Sequence, residues 1–496
     1  MTDLATSKGL NSFPPELLII VFEHNIGAVA ALNCVLIRAT HVCRYWRDVA
    51  LHSPTLWSHI ALMHPDAVEH FLARSQALHL RISVDMNANG GSETSKKMRL
   101  QALHVLLGHA ACSRILSLKI SHLPKSRNFN WVIQHIAHAA PQLETLLIER
   151  CVPRVLIPRP STHPADFEGV PKLRSLTLIG EIPPLFSKAP NSLTSLDLDR
   201  PVCDVSSLLH LLERSPSLEH LIIRNIIVAG VERPTGAVIL PRLKTLRLQC
   251  ISNLAVGKLR PKIVLPSKHT NITLCDSKSY GQMFQDLVPA HGAPDALSFP
   301  ALHGLKHVQL LWEHNLWTLR AYRSSDLAHS AAPALQVHSS RPTLDGERFL
   351  INWPIDASHV ETIDLYGNST KFYAERRLDW QWATMLFGVP ALKTLRVRAV
   401  PKGILQAILS ALGPGADTVA CPQLETLILG RIPLPEESRD TLVGVAKLRG
   451  PLMAAGGYLG KIMVELPVFG PDTVRDEPAW SLIEGTGVQV MFIEPQ

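Results

Sequence analysis

PQLETLLI (141–148), PKLRSLTL (171–178), PSLEHLII (216–223), PRLKTLRL (241–248), PALKTLRV (390–397) and PQLETLIL (422–429) are six versions of one phrase, Pro-x-Leu-x-x-Leu-x-aliphatic. Alternate residues of a strand point to opposite faces, so the second leucine and the aliphatic two places on share one side. The first leucine enters from the preceding turn. Weaker copies are SLTSLDL (192–198), LKHVQLL (305–311) and HVETIDL (359–365), with earlier ones at ALHLRISV (77–84) and RILSLKI (114–120). Between copies lie NWVIQHIAHAA (130–140), DVSSLLHLLERS (204–215) and KGILQAILSALG (402–413), whose apolar residues recur every three to four positions, as on one helix face. One strand and one helix per unit predict an α/β array in which each repeat is covered by its neighbours.

Leucines 143, 173, 193, 218 and 243 are spaced 30, 20, 25 and 25 residues apart; Val360, Leu392 and Leu424 are spaced 32 and 32. The phrase and its period resemble leucine-rich repeats. That family's consensus places Asn or Cys three residues after the strand aliphatic. Here only Cys151 obeys, while Glu181, Pro201, Ile226, Ile251, Val400 and Ile432 hold the other positions. The resemblance therefore implies an irregular solenoid with a concave parallel sheet and no continuous asparagine ladder. The tail GVQVMFIEP (487–495) reads as its last strand. Residues 152–170, 275–300 and 321–345 read as insertions, and DMNANGGSETSKK (85–97) as an early loop.

With 496 residues, 46% hydrophobic and 18% charged, the chain has the composition of a folded protein. Cysteines 34, 43, 112, 151, 203, 250, 275 and 421 form no C-x-x-C pair, and the start MTDLATSKGLNSF lacks the apolar core of a signal peptide. A reduced protein of the cytoplasm, the nucleus or both is expected. LLIIVF (17–22) falls far short of the ~20 residues a membrane span needs. No nucleotide-loop, zincin or nucleophile-elbow motif occurs, and the nearest, GGYLGKI (456–462), ends in Ile462. The 23 histidines are scattered. No catalytic residue, metal site or cofactor is expected, and the chain is read as a non-enzyme.

The first sixty residues differ in kind. In FPPELLIIVFEH (13–24), Pro15 can open a helix because the first turn has no amide bond to lose. Leu17 and Val21 share one face of that helix, and Leu18 and Phe22 another. In HVCRYWRDVALHSPTLWSHI (41–60), Val42, Cys43, Trp46, Val49 and Ala50 form an apolar stripe, Ser53-Pro54 starts a second helix, and Leu56 and Trp57 add apolar bulk. A helix apolar on two faces must be covered on two sides, more than a fifty-residue bundle supplies alone. Apolar surface is left for a partner, or for capping the array.

These two blocks resemble the F-box, in the version of the large family found in mushroom-forming fungi. The matching residues are Pro14, Glu16, Leu17, Phe22, Val42, Cys43, Arg44, Trp46, Val49, Ala50, Pro54, Leu56 and Trp57, with Phe13 where the family usually has Leu. The resemblance implies three regions: an adaptor-binding helical F-box over 10–62, a connector with a first irregular repeat over 63–100, and the repeat array over 101–496. It implies that Pro14, Pro15, Leu17, Leu18, Val21, Phe22, Val42, Trp46, Leu56 and Trp57 meet a Skp-type adaptor. Through that adaptor the chain would join a cullin–RING ligase and present a protein substrate. A non-ligase adaptor scaffold stays open as the alternative.

Charge is segregated. Residues 94–143 hold seven Lys/Arg and 233–275 hold eight, neither stretch with an acid, whereas 432–496 hold five basic and nine acidic residues. Basic tracts raise a nucleic-acid reading, but 233–275 contain no aromatic residue to stack on a base. On the strands, residues alternating with the buried leucines face the concave side: His220 and Arg224, then Arg247 and Gln249, and later Arg396 and Arg398. That face is the expected substrate surface, with Arg224 and Arg247 selecting an acidic or phosphorylated segment.

Overall fold

The computed structural model describes residues 13–27, 32–62, 64–88, 92–124, 126–150, 165–166, 169–180, 186–188, 191–200, 202–203, 205–228, 237–249, 263–265, 270–276, 302–313, 316–324, 332–339, 357–367, 382–413, 420–431, 436–450, 459–465 and 478–493. Two compact units divide the chain: Met1–Leu221 with Ile226–Gly236, and Ile222–Asn225 with Ala237–Gln496.

The first unit opens with four helices, α1 (Pro15–Gly27), α2 (Leu32–Thr40), α3 (Arg44–Leu51) and α4 (Pro54–Trp57). Pro15 sits in the first turn, where Leu17 and Leu18 both donate to the Pro14 carbonyl at 3.1 and 3.2 Å. Cys43 caps α3 by accepting from the Trp46 amide at 3.4 Å. The helices then run into β1 (His59–Ala61), which pairs in parallel with β2 (Leu80–Asp85). The helical segment thus supplies the first strand of the sheet behind it. The parallel pairing continues through β3 (Ile115–Leu123) and β4 (Thr145–Arg150). Two short parallel pairs lie alongside: β5 (Ala165–Asp166) with β7 (Phe186–Lys188), and β9 (Val202–Cys203) with β11 (Ile227–Val228). The main run goes on from β4 to β6 (Ser175–Ile179) and β8 (Ser195–Asp199), and β10 (His220–Arg224) falls at the division. Helices α5 (Pro65–Arg74), α6 (Glu93–Gly108), α7 (Ser126–Ala139) and α8 (Val205–Glu213) fill the connections.

In the second unit, β12 (Val238–Ile239) and β14 (Ile263–Val264) form a short parallel pair. Its main strands are β13 (Thr245–Gln249), β15 (Asn271–Asp276), β16 (His307–Glu313), β17 (Leu316–Tyr322), β18 (Leu335–Ser339), β19 (Thr362–Gly367), β20 (Thr394–Arg398), β21 (Thr426–Gly430), β22 (Lys461–Glu465) and β23 (Gln489–Ile493). Their spatial order is β13, β15, β18, β17, β16, β19, β20, β21, β22, β23. Here the expectation of a parallel sheet is corrected. β16 and β17 form a hairpin, so β17 runs antiparallel to both neighbours and the strand order folds back on itself. The segment 321–345, read as an insertion, contains the end of β17 and all of β18. The loop expected over 85–97 gives way at Glu93 to α6, because the Ser92 hydroxyl accepts from the Ser95 amide at 3.2 Å and caps it.

What the repeated phrase does is visible in its hydrogen bonds. The first leucines, Leu143, Leu173, Leu193, Leu218, Leu243, Leu392 and Leu424, are all buried, and Leu305, Val360 and Leu459 hold the same place in three further units. Each turn ties back: the Leu173 amide donates to Val170, Leu218 to Ser215, Leu392 to Val389 and Leu424 to Cys421. The next two amides then donate together to the neighbouring unit, Arg174 and Ser175 to the Glu144 carbonyl, Lys393 and Thr394 to Glu361, Glu425 and Thr426 to Lys393. After the strand, Gly180, Arg200, Asn225, Ala399 and Arg431 occupy the same place, two residues beyond the strand aliphatic, with φ between 52° and 106°. At three of these left-handed turns the amide donates to the next strand's last carbonyl: Gly180 to Asp199, Asn225 to Gln249 and Ala399 to Gly430, at 2.7–2.8 Å. Backbone bonding one residue earlier satisfies the turn, which is why the asparagine position carries Pro, Ile or Val.

The helix Glu436–Arg449 ends on a fully buried guanidinium. Arg449 donates to the carbonyls of Leu412, Cys421 and Ala420, which close the helix Lys402–Leu412 and open the turn before β21.

Candidate partner-binding surfaces

The N-terminal helices close their own interior. Leu18, Phe22, Leu36, Ala39, Val49, Ala50, Leu56 and Trp57 are buried. Phe22 meets Trp46 edge-on with ring centroids 5.3 Å apart, and the Trp57 indole N–H donates to the Ala50 carbonyl at 2.7 Å. Trp57 also packs edge-on against Phe71 of α5 and lies under the Arg74 guanidinium, fastening this segment to α5. Near the start, the Tyr45 hydroxyl donates to the Phe13 carbonyl at 2.6 Å.

With that interior filled, a second apolar set faces outward. Leu17, Ile20 and Val21 on α1 are 49, 59 and 42% exposed, and Phe13, Ile37 on α2 and Val42 in the following turn are exposed too. Six of the eleven exposed large apolar side chains among the described residues fall within positions 13–42. Single exposed apolar residues are ordinary, but such a concentration marks an interaction surface. Leu17, Ile20 and Val21 stand at i, i+3 and i+4, one face of one helix. Glu16, Glu23, Arg38, Arg44, Arg47 and Asp48 are exposed around them and supply a charged rim.

This placement divides the ten expected contact residues. Pro14, Pro15, Leu17, Val21 and Val42 are on the surface. Leu18, Phe22, Leu56 and Trp57 are corrected to the interior, because α1 packs among α2, α3 and α4 and buries its Leu18/Phe22 face, with Phe22 against Trp46 of α3. Trp46 is half-buried against Phe22. Sequence reading missed Ile20 and Ile37. Ile20 follows from the i, i+3 spacing with Leu17; no pattern in the sequence separates Ile37 from its buried neighbour Leu36.

The exposed face of the second unit's sheet carries the other candidate set. Burial alternates along β13 and β20, with Leu246 and Leu248 beneath Thr245, Arg247 and Gln249, and Leu395 and Val397 beneath Arg396 and Arg398. Across the strands, Arg247, Thr273, Gln336, Arg320, Gln309, Asp364 and Arg396 stand in one row. Gln249, Cys275, His338, Thr318, Leu311, Tyr366 and Arg398 form the next. His220 is exposed on β10, and Arg224 is half-buried at its end.

Two of the expected anion-binding arginines are already satisfied within the sheet. Arg396 reaches both Asp364 carboxylate oxygens at 3.4 Å. Asp364 is also bonded by fully buried His307 at 3.0 Å and by Gln309 at 3.4 Å, and Gln309 accepts from the Tyr322 hydroxyl. Burial pushes the Asp364 carboxyl up, but His307, then Arg396 and Gln309, outweigh it and hold the group below its ordinary value. Arg398 pairs with buried Glu465, and a Cβ at Gly430 would collide with that carboxylate, so glycine there keeps the space open. Arg396 and Arg398, expected on the substrate-binding face, are thus paired within the sheet. Asp364, His307 and Glu465 went unrecognised in the sequence because their partners lie 32 to 67 positions away and only the strand register joins them.

Among the described residues, no group of three His, Cys, Asp or Glu side chains is placed to hold a metal, and no helix is long and apolar enough to cross a membrane. Residues 10–63 match the family model described as F-box-like, so the chain carries an F-box-like domain followed by a large mixed α/β region. F-box domains generally bind Skp-type adaptors. No curated protein matches the chain.

Proposed function

We propose that this chain is the substrate-recognition subunit of a Skp–cullin–F-box ubiquitin ligase and is not itself an enzyme. The F-box-like domain docks the Skp-type adaptor through Phe13, Leu17, Ile20, Val21, Ile37 and Val42. The leucine-rich-repeat-like region behind it, of the kind met after fungal F-boxes, holds a protein substrate, with the work done in the cytoplasm, the nucleus or both. One observation carries this reading: the N-terminal helices expose a cluster of large apolar side chains although their own interior is already filled. A cap on the repeat array would need one apolar face, turned inward, and would leave the outer one polar.

The test is co-expression of the full chain with a Skp-type adaptor from the same source, affinity purification, and identification of whatever else is retained. Adaptor together with a cullin supports the ligase reading. Adaptor without cullin supports the scaffold alternative, and absence of the adaptor refutes both. Repeating the purification with and without proteasome inhibition then identifies substrates as proteins that accumulate only when degradation is blocked.

A further inference from the structure

Arg247 and Arg320, on the exposed face of the second unit's sheet, form no ion pair among the described residues. Arg247 is exposed on β13 and Arg320 half-buried on β17. They stand in the same cross-strand row, separated by Thr273 and Gln336. Three strand steps put their Cα atoms roughly 14 Å apart. His338 lies in the adjacent row on the intervening β18, with its Nδ1 against the Thr318 hydroxyl at 3.0 Å. Both guanidiniums act on this one imidazole: burial first, then Arg320, then Arg247 hold His338 below its ordinary value.

The rows they enclose contain Thr273, Cys275, Gln336 and Thr318, and no carboxylate. The nearest acid in register is Asp364, already taken up by His307, Gln309 and Arg396. The sheet has neutralised one set of charges internally and left another open. No Phe, Tyr or Trp stands in these rows between the two arginines as a platform for a base, which favours a peptide over a nucleic acid. An extended segment advances about 3.3 Å per residue, so acidic groups four residues apart lie roughly 13 Å apart, close to the arginine spacing.

Resting on the substrate-receptor reading above, we propose that Arg247, Arg320 and His338 form an anion-binding site for an extended acidic peptide segment, one group near each arginine. Carboxylates and phosphates share the required chemistry, and bidentate charge-assisted bonds to guanidinium suit both. This moves the expected site from the Arg224–Arg247 pair to one that includes a strand the repeated phrase does not mark.

The experiment measures binding of fluorescent nine-residue peptides to the purified full chain. One carries two glutamates four residues apart, one carries two phosphoserines at the same places, one carries glutamines, and an oligothymidylate of matching length serves as the nucleic-acid probe. At least one anionic peptide is expected to bind, weakening as salt rises, while the glutamine peptide does not. Arg247→Gln and Arg320→Gln are each expected to lower affinity at least ten-fold, and Lys172→Gln, an equal charge loss in the other unit, to leave it unchanged. The glutamate and phosphoserine arms identify which anion is preferred. Wild-type affinity in both arginine variants, equal binding of the neutral peptide, tighter binding of the oligonucleotide, or no peptide binding at low salt would each overturn the proposal. Adaptor pull-down on the same variants keeps the two readings apart: the arginine variants must still dock the adaptor, and loss of the peptide site with docking intact refutes only this one.

Discussion

Removing the exposed apolar face of α1 is the sharpest test of the adaptor surface. The triple variant Leu17→Ala, Ile20→Ala, Val21→Ala strips three side chains that the fold leaves 49, 59 and 42% exposed. Fully burying one such side chain stabilises by about 1.5–3 kcal/mol, and with roughly half already covered by the protein, ~0.7–1.5 kcal/mol each remains for a partner. The sum, ~2–4.5 kcal/mol, corresponds to a roughly 30- to 1,600-fold weaker Kd at 1.4 kcal/mol per decade. Alanine retains one carbon and truncation effects at interfaces are not additive, so the lower half of that range is the expected result. Titration calorimetry against the purified adaptor reads the affinity, and a thermal melt of the same sample reads the fold. Unchanged stability with docking lost is the expected pattern. Leu18→Ala is the contrast, since it opens a cavity in the filled interior and should cost about 2–5 kcal/mol of stability. Full adaptor affinity in a folded triple variant would refute the assignment.

Arg449→Met should be strongly destabilising, since it leaves buried carbonyls of Leu412, Ala420 and Cys421 without their donor at about 1–3 kcal/mol per orphaned group; urea unfolding measures it. Asp364, whose carboxyl is held below its ordinary 3.8, contributes stability that is complete above that value and is lost as the pH falls through 3.8 and below. Melting temperatures taken from pH 6 down to 3 should therefore converge between wild type and Asp364→Asn, which is the weaker protein at pH 6. Burial pushes the thiols of Cys112 and Cys421 up to about 12, so iodoacetamide at pH 8 should spare both in the folded chain and modify both in urea, as peptide mass mapping will read.

The sequence by itself determined the repeating strand and where its leucines go. Period-two alternation is local, and Leu143, Leu173, Leu218, Leu243, Leu392 and Leu424 are buried where the phrase puts them. The helices at 130–139, 205–213 and 402–412 were legible from their three-to-four spacing, as was the last strand at 489–493. Local pattern also showed that α1 has two apolar faces. Which face is covered was decided only in three dimensions: the packing of α1 among α2, α3 and α4 buries Leu18 and Phe22, and Leu17, Ile20 and Val21 are left outside. The antiparallel strand at 316–322 was invisible because it lacks the phrase, and its place depends on the hairpin it makes with β16. Charge partners followed the same rule. Arg396 and Arg398 look like Arg247 and Arg320 in a one-dimensional reading, yet strand register sets Asp364 and Glu465 beside the first pair and uncharged residues beside the second. Burial of a leucine depends on its own strand, whereas the freedom of an arginine depends on whatever distant residue the sheet brings alongside it.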